Sequence, residues 1–409
     1  MAGLNHTDLM LLLLAISAML LLSRAAAELA MRFKMPGVIG EILIGIILGP
    51  TILGSFFPAF FTSVFPMEGH AAIALDGIVK ISVVMLLFVA GLEVQIPLVL
   101  KQGKLAIYTS ITSMIIPFVT GFAVAWYFPA FFLVNDGDGK LLFALFFGTA
   151  LAISALPVIA RILMDLKIMR TQVGMLIMAS AMFNDLVGWL IFSFILSMMG
   201  KDPSRMNVGY SILFILGFGL FMLIIGKRVI DRALPWIQTK LSWPGGVLSI
   251  CLGVCFLFAA ITESMHIHAI LGAFIAGIAF GDSVHLHERA REIIHQFVTN
   301  IFAPLFFVSI GLKLNFFAYF DAWMVIVVLV LAFFGKVAGA SIGAYWGGLS
   351  RNNSLAVGFG MNARGVMEII LATLALNAGL IGERVFVALV VMALVTSLTS
   401  GPLMKRFLD

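Results

Sequence analysis

The stretch Val38-Ile-Gly-Glu-Ile-Leu-Ile-Gly-Ile-Ile-Leu-Gly49 carries glycines at positions 40, 45 and 49. The same spacing returns in Ile270-Leu-Gly-Ala-Phe-Ile-Ala-Gly-Ile-Ala-Phe-Gly281, at Gly272, Gly277 and Gly281. A second echo follows each stretch: Leu86-Leu-Phe-Val-Ala-Gly-Leu92 and Leu305-Phe-Phe-Val-Ser-Ile-Gly-Leu312. Glycines recur in apolar helices simply to let helices approach. That accounts for neither the shared spacing nor the second echo, so the chain reads as a duplicated unit.

Thirteen apolar segments surround these echoes. The first echo pairs the second segment (about 36–54) with the ninth (about 266–281). The second pairs the third (about 76–94) with the tenth (about 299–313). An offset of seven spans is odd, so the two copies run in opposite orientations. Inverted repeats of this kind mark secondary transporters, with the substrate site where the repeats meet. The expected fold is therefore an all-α polytopic membrane protein of about 13 transmembrane helices. A single transmembrane domain covers 1–409: a first repeat over about 8–199, a linker helix at about 207–227 and a second repeat over about 244–404.

Composition agrees. The chain is 62% hydrophobic and 11% charged, which excludes an ordinary soluble domain. The apolar runs are long and do not alternate, which excludes a β-barrel. Sixteen lysines and arginines fall in one set of loops and five in the other. That bias places the N-terminus outside and the C-terminus in the cytoplasm. The formal charge of +5 is topological and calls for no nucleic-acid partner. Cys251 and Cys255, four apart in one apolar helix, read as small core residues.

Asp185 lies in Ala179-Ser-Ala-Met-Phe-Asn-Asp-Leu-Val-Gly-Trp189, inside an apolar run from about 171 to 199. At 1.5 Å rise per residue the carboxylate sits about 20 Å from either end, near the bilayer midplane. A charge there is costly and marks an ion or proton path, or else a structural pair with a neighbouring helix.

Two spans look broken. In Thr149-Ala-Leu-Ala-Ile-Ser-Ala-Leu-Pro-Val-Ile-Ala-Arg161, Pro157 has no N–H and frees the Ile153 carbonyl beside the Ser154 hydroxyl. Oxygens of that kind suit Na⁺ or K⁺, with Asp185 and Ser154 as side-chain ligands of the ion and Asn184 completing the shell. Seven spans later, Gly358-Phe-Gly-Met-Asn-Ala-Arg-Gly365 interrupts an apolar segment; Gly358, Gly360 and Gly365 are the expected breaks. Irregular backbone at membrane depth is tolerated only where it is buried in protein or lines a cavity.

Lys336 sits near mid-span beside glycines 335, 339, 343 and 347, and must either find a partner or lose its proton. Arg364 either neutralises helix C-termini or pairs with Glu368, one turn on. Asp185, Lys336 and Arg364 read together as a buried charge cluster. Glu41 is either buried or faces an aqueous vestibule. The run 282–296, with His285, His287 and His295, reads as an amphipathic cytoplasmic linker with a solvated face; pH sensing is its other reading.

Seven runs in order resemble the second family of monovalent cation:proton antiporters, which includes Kef-type transporters, bacterial sodium/proton antiporters and plant CHX-type exchangers. They are Pro36-Gly-Val-Ile-Gly-Glu-Ile42, Leu87-Phe-Val-Ala-Gly-Leu-Glu93, Ile153-Ser-Ala-Leu-Pro-Val-Ile-Ala-Arg-Ile-Leu163, Asn184-Asp185, Ile267-His-Ala-Ile-Leu-Gly-Ala-Phe274, Leu305-Phe-Phe-Val-Ser-Ile-Gly-Leu-Lys313 and Gly358-Phe-Gly-Met-Asn-Ala-Arg-Gly-Val-Met-Glu368.

The resemblance implies two inverted repeats with crossed discontinuous helices, a core domain, an oligomerisation domain and a homodimer in a bacterial inner membrane. It also implies elevator-like alternating access, with Asp185 binding cation or proton. Electrogenic relatives carry Asp-Asp where this chain has Asn184-Asp185, so the resemblance implies electroneutral exchange. No cofactor is expected beyond the transported Na⁺ or K⁺ and H⁺, and no enzymatic constellation appears. No C-terminal regulatory domain is expected before Asp409. The rival readings are a sodium-coupled organic-anion symporter on the same fold, anchored by Arg364, and a cation channel.

Overall fold

The computed structural model describes residues 4–33, 35–66, 68–94, 103–134, 139–169, 171–198, 217–265, 268–283 and 285–408, and no strand occurs among them. The first half runs through α1 (His6–Arg32), α2 (Gly37–Leu48), the short α3 (Leu53–Phe56) and α4 (Pro58–Val64), α5 (His70–Leu92), α6 (Gly103–Tyr127), α7 (Gly139–Ala152), α8 (Leu156–Asp165) and α9 (Gln172–Met198). The second half begins with a π-helical turn (Met222–Gly226) that leads into α10 (Lys227–Lys240), then α11 (Gly245–Ser264), α12 (Ala269–Gly281) and α13 (Glu288–Phe297). It closes with α14 (Ala303–Lys313), α15 (Ala322–Trp346), α16 (Arg351–Met361), α17 (Val366–Asn377) and α18 (Glu383–Lys405).

Nine helical stretches among the described residues are long and apolar enough to cross a membrane, and the protein is a multi-pass membrane protein. The two spans expected to be broken, around 149–161 and 358–365, are each split into two shorter helices. The linker helix expected at 207–227 lies mostly outside the described residues. One boundary differs from expectation. The amphipathic run and the tenth span are not separate, because α13 continues through a π-helical turn (Val298–Phe302) into α14. Pro304 stands in the first turn of α14 and cannot donate to the preceding turn. A π-helical turn accommodates such a lost bond without ending the helix.

The chain forms two compact units, Met1–Val94 with Leu213–Ala318, and Gln95–Ile212 with Tyr319–Asp409. Each draws on both copies of the repeat.

In the first unit the echoed glycines pack in equivalent ways. A Cβ on Gly40 would strike the Ala26 carbonyl of α1, and one on Gly272 the Phe258 carbonyl of α11. A Cβ on Gly45 would lie 2.5 Å from the Val308 carbonyl oxygen, and one on Gly49 would strike Gly311, both in α14. A Cβ on Gly277 would strike the Phe88 carbonyl, and one on Gly281 the Leu92 carbonyl, both in α5. The glycines of one copy thus receive the second echo of the other. Backbones at that distance leave room for hydrogen alone.

The residues that follow the second echoes, Glu93 and Lys313, are both charged. Each makes an ion pair within this unit, Glu93 with His295 at 3.2 Å and Lys313 with Asp76 at 3.2 Å. His295, expected on a solvated face, is still partly exposed there and also reaches Glu93, which caps α5. Glu41 is buried.

In the second unit the stripe of glycines on α15 meets α6. Cβ atoms on Gly335, Gly339 and Gly343 would lie 2.9 Å from Pro117 Cα, 2.6 Å from the Thr112 oxygen and 2.5 Å from the Tyr108 oxygen. The descending partner numbers make the two helices antiparallel.

Replacing Gly45 or Gly277 by alanine is expected to cost about 1–3 kcal/mol, the usual penalty for overpacking. The two penalties should be similar because the sites are equivalent. Gly77→Ala, whose Cβ would meet nothing within 4 Å, is expected to be neutral or slightly stabilising. Thermal unfolding of the purified variants in one detergent checks this; unchanged midpoints for the first two contradict the packing argument.

Candidate functional site

The site is built where two interrupted helices of the second unit cross. Helix α7 stops at Ala152, residues 153–155 are non-helical and α8 begins at Leu156. Pro157 falls in the first turn of α8, where a missing N–H leaves no bond unmade. Helix α16 stops at Met361 and α17 begins at Val366, leaving 362–365 unwound. The two breaks bond to each other. Ser154 Oγ donates to the Met361 carbonyl at 2.8 Å, and the Ala155 N–H donates to the Ala363 carbonyl at 3.0 Å. A Cβ on Gly365 would lie 2.7 Å from Val158 Cγ2, so α17 enters tightly against α8.

Gly358 and Gly360 are not breaks. Both are helical within α16. A Cβ on Gly358 would lie 2.7 Å from the Val337 carbonyl oxygen of α15, and one on Gly360 2.8 Å from Ile177 Cδ1 of α9. They are small because neighbouring helices pass close by.

The end of α7 exposes carbonyls that an unbroken helix would satisfy. Arg364 takes two of them, Nη1 donating to Ala150 O at 2.8 Å and Nη2 to Leu151 O at 2.6 Å. Lys336 Nζ donates to the third, Ala152 O. Two buried cations therefore sit on the negative end of one helix dipole. Arg364 also pairs with Glu368 at 3.1 Å, so both of its expected roles hold at once. Lys336 and Arg364 are 0% exposed.

Asp185 is buried in α9, with 3% of its surface exposed, and its charge acts on Lys336 together with those of Arg364 and Glu368. Gly188, on the same face of α9 three residues later, lets that helix press on the first break: a Cβ there would lie 2.7 Å from Ile153 Cδ1. Asn184 is engaged at both ends of its amide. With the orientation that satisfies donor and acceptor alike, its oxygen accepts from Lys336 Nζ at 3.0 Å and from Ser113 Oγ at 2.9 Å, and its nitrogen donates to Ser110 O at 3.2 Å. The fold thus brings Asp185, Asn184, Ser154, Ile153, Lys336, Arg364 and Glu368 into one unit around one crossing.

Three contributors escaped the sequence reading. Ser110 and Ser113 of α6 hold Asn184, and Ser397 of α18 donates to the Arg364 carbonyl. Small hydroxyls three apart inside an apolar span were the available signal for the first two. Asn362, in the second break, is 0% exposed, and its amide has no hydrogen bond among the described residues. No group of three or more His, Cys, Asp or Glu residues among them has the arrangement of a metal site.

A family model described as "Sodium/hydrogen exchanger, transmembrane" matches residues 15–409. The chain is 31% identical over 401 residues to Cation/H(+) antiporter 17 of Arabidopsis thaliana, covering 96% of this chain and 48% of that protein. It is 30% identical over 404 residues to the Na(+)/H(+) antiporter NhaS4 of Synechocystis sp., covering 98% of each. It spans about half the length of the plant relatives it matches. Its fold is similar to that of the sodium proton antiporter MjNhaP1 from Methanocaldococcus jannaschii, with a TM-score of 0.65 at 18% identity over 94% of this chain and 93% of that one.

Removing Arg364 leaves two carbonyls and a buried carboxylate unmatched. Arg364→Ala is expected to destabilise the second unit by about 3–5 kcal/mol, as for other broken buried pairs. Glu368→Gln added to it should recover part of that loss, because the orphaned charge is gone. Size-exclusion profiles after heating, taken across the double-mutant cycle, measure the coupling; strictly additive losses contradict it.

Proposed function

The chain belongs to the sodium/hydrogen exchanger family, and from that premise we propose that it exchanges Na⁺ or K⁺ for H⁺ across the membrane. The observation that carries this reading is Asp185, a carboxylate buried mid-helix in α9 whose charge reaches Lys336. A proton or a monovalent cation neutralises Asp185 equally, so the two compete for one place.

In this reading the Ser154 hydroxyl, whose proton is committed to Met361 O, offers its lone pairs to the cation, as does the Ile153 carbonyl. Asn184 holds Lys336 and positions Asp185 from the adjoining residue. The crossing then travels between the two membrane faces in an elevator-type cycle, and the protein works as a homodimer in a bacterial inner membrane with its C-terminus in the cytoplasm. Its service is to pH and cation homeostasis. The cycle needs no cofactor. The organic-anion symporter reading requires Arg364 as an anion anchor; that guanidinium is already occupied by two carbonyls and Glu368, which favours the antiporter.

Proteoliposomes loaded with a pH dye and challenged in turn with Na⁺, K⁺, Li⁺ and Rb⁺ test the exchange and rank the ions. Asp185→Asn is expected to abolish it while the protein still folds, since an amide neither releases a proton nor supplies charge. Ion-driven proton movement by the folded variant would remove Asp185 from the site.

Exchange should also be electroneutral, because one carboxylate carries either one proton or one monovalent cation per half-cycle. Moving one net charge across about −100 mV is worth about 2.3 kcal/mol. Clamping the potential with an ionophore is therefore expected to leave the equilibrium point unchanged. A shift would mean that a second proton is coupled, with Lys336 as its first carrier to test.

A further inference from the structure

Helix α10 presents two different faces. One is tied down within the first unit: Lys227 pairs with Asp282, Asp231 accepts from Ser283 Oγ, and Gln238 Nε2 donates to His285 O at 2.8 Å. Ile230, Leu234 and Ile237 are buried on the same side. The other face carries Arg228, Arg232, Trp236 and Lys240, spaced by four and confined to an arc of roughly 120° at 100° per residue. All four are exposed. Among the described residues, none of the three cations makes an ion pair or a hydrogen bond. Asp231 and Asp282 are engaged on the tied face.

Two tryptophans accompany the cations. Trp236 is 60% exposed, and Trp243, in the turn before α11, is 41% exposed and stands edge-on to His287. Indole rings of this kind sit at the headgroup level of a bilayer, with the ring body in the apolar layer and the N–H among polar groups. The helix is placed for that level. The apolar turn Met222–Gly226 leads into it, and a membrane-crossing helix, Gly245–Ser264, leaves it five residues later.

We infer that this face of α10 is a docking surface for anionic phospholipid headgroups. Arg228 and Arg232 meet the phosphates as charge-assisted, two-pronged donors, Lys240 adds a third positive charge, and Trp236 and Trp243 set the depth. A neutral lipid offers the rings the same contacts but gives the cations no net charge to answer them. The inference is independent of the ion-exchange reading, since none of these residues belongs to the helix crossing.

The test is thermal unfolding of the full chain in detergent, with phosphatidylglycerol or phosphatidylcholine added. Phosphatidylglycerol is expected to raise the midpoint of the wild type more than phosphatidylcholine does. Arg228→Gln combined with Arg232→Gln should lose at least half of that excess while keeping its midpoint in phosphatidylcholine. Arg228→Lys with Arg232→Lys should retain most of it. A full phosphatidylglycerol shift in the glutamine variant overturns the proposal. So does an equal shift with glycerol 1-phosphate, which would make the face a small-anion site. A change in oligomeric state without a change in lipid response also overturns it, by assigning the face to a second copy of the chain. Exchange measured in phosphatidylcholine vesicles stands or falls separately, since the glutamine variant keeps the crossing intact.

Discussion

The end of α7 is the constraint on which the second unit depends. In an unbroken helix the Ala155 N–H would satisfy the Leu151 carbonyl. Here that N–H crosses to Ala363, and Leu151 O accepts from Arg364. The carbonyls on either side, Ala150 and Ala152, go to Arg364 and Lys336. Each partner exchange needs the others. Without the break there are no free carbonyls, and without free carbonyls two fully buried cations have too few acceptors, a situation that costs several kcal/mol per ion. Without the cations, the negative end of a helix dipole faces the protein interior unanswered.

The electrostatic consequence is a division of labour. Arg364 is matched by Glu368 four residues on, and Lys336 directs its protons to a carbonyl and an amide. These groups form a fixed frame of charge. Asp185 stands on α9 within reach of Lys336, three residues before the glycine that lets this helix press on the first break. Packing and charge thus converge on one carboxylate.

Much of this was legible in the residues. The glycine spacing shared by the echoed motifs at 40–49 and 272–281 told of a duplicated unit, and the structure adds that each copy's glycines pack on backbone of a neighbouring helix. Pro157 marked the first break because it lacks an N–H, and a midplane Asp, Lys and Arg announced a cluster because each is too costly to be incidental. What was not legible was partnership. Gly358 and Gly360 looked like breakers, yet they are helical and small because Val337 and Ile177 press on them. Asn184 looked like an open ligand, but Ser110, Ser113 and Lys336 engage both ends of its amide. His295 keeps a partly solvated side chain, and its partner Glu93 could not be read from the sequence. In each case the missing fact was a neighbour distant in sequence.

The bonds between the two breaks also have a mechanical meaning. Ser154 and Ala155 belong to one copy of the repeat and Met361 and Ala363 to the other, and they are joined at 2.8 and 3.0 Å. Arg364 adds a second linkage from the later copy to the carbonyls of the earlier one. Halves pinned together in this way have no independent stroke. A displacement that begins in either α7–α8 or α16–α17 is resisted by the other, because moving one break alone would cost every bond between them.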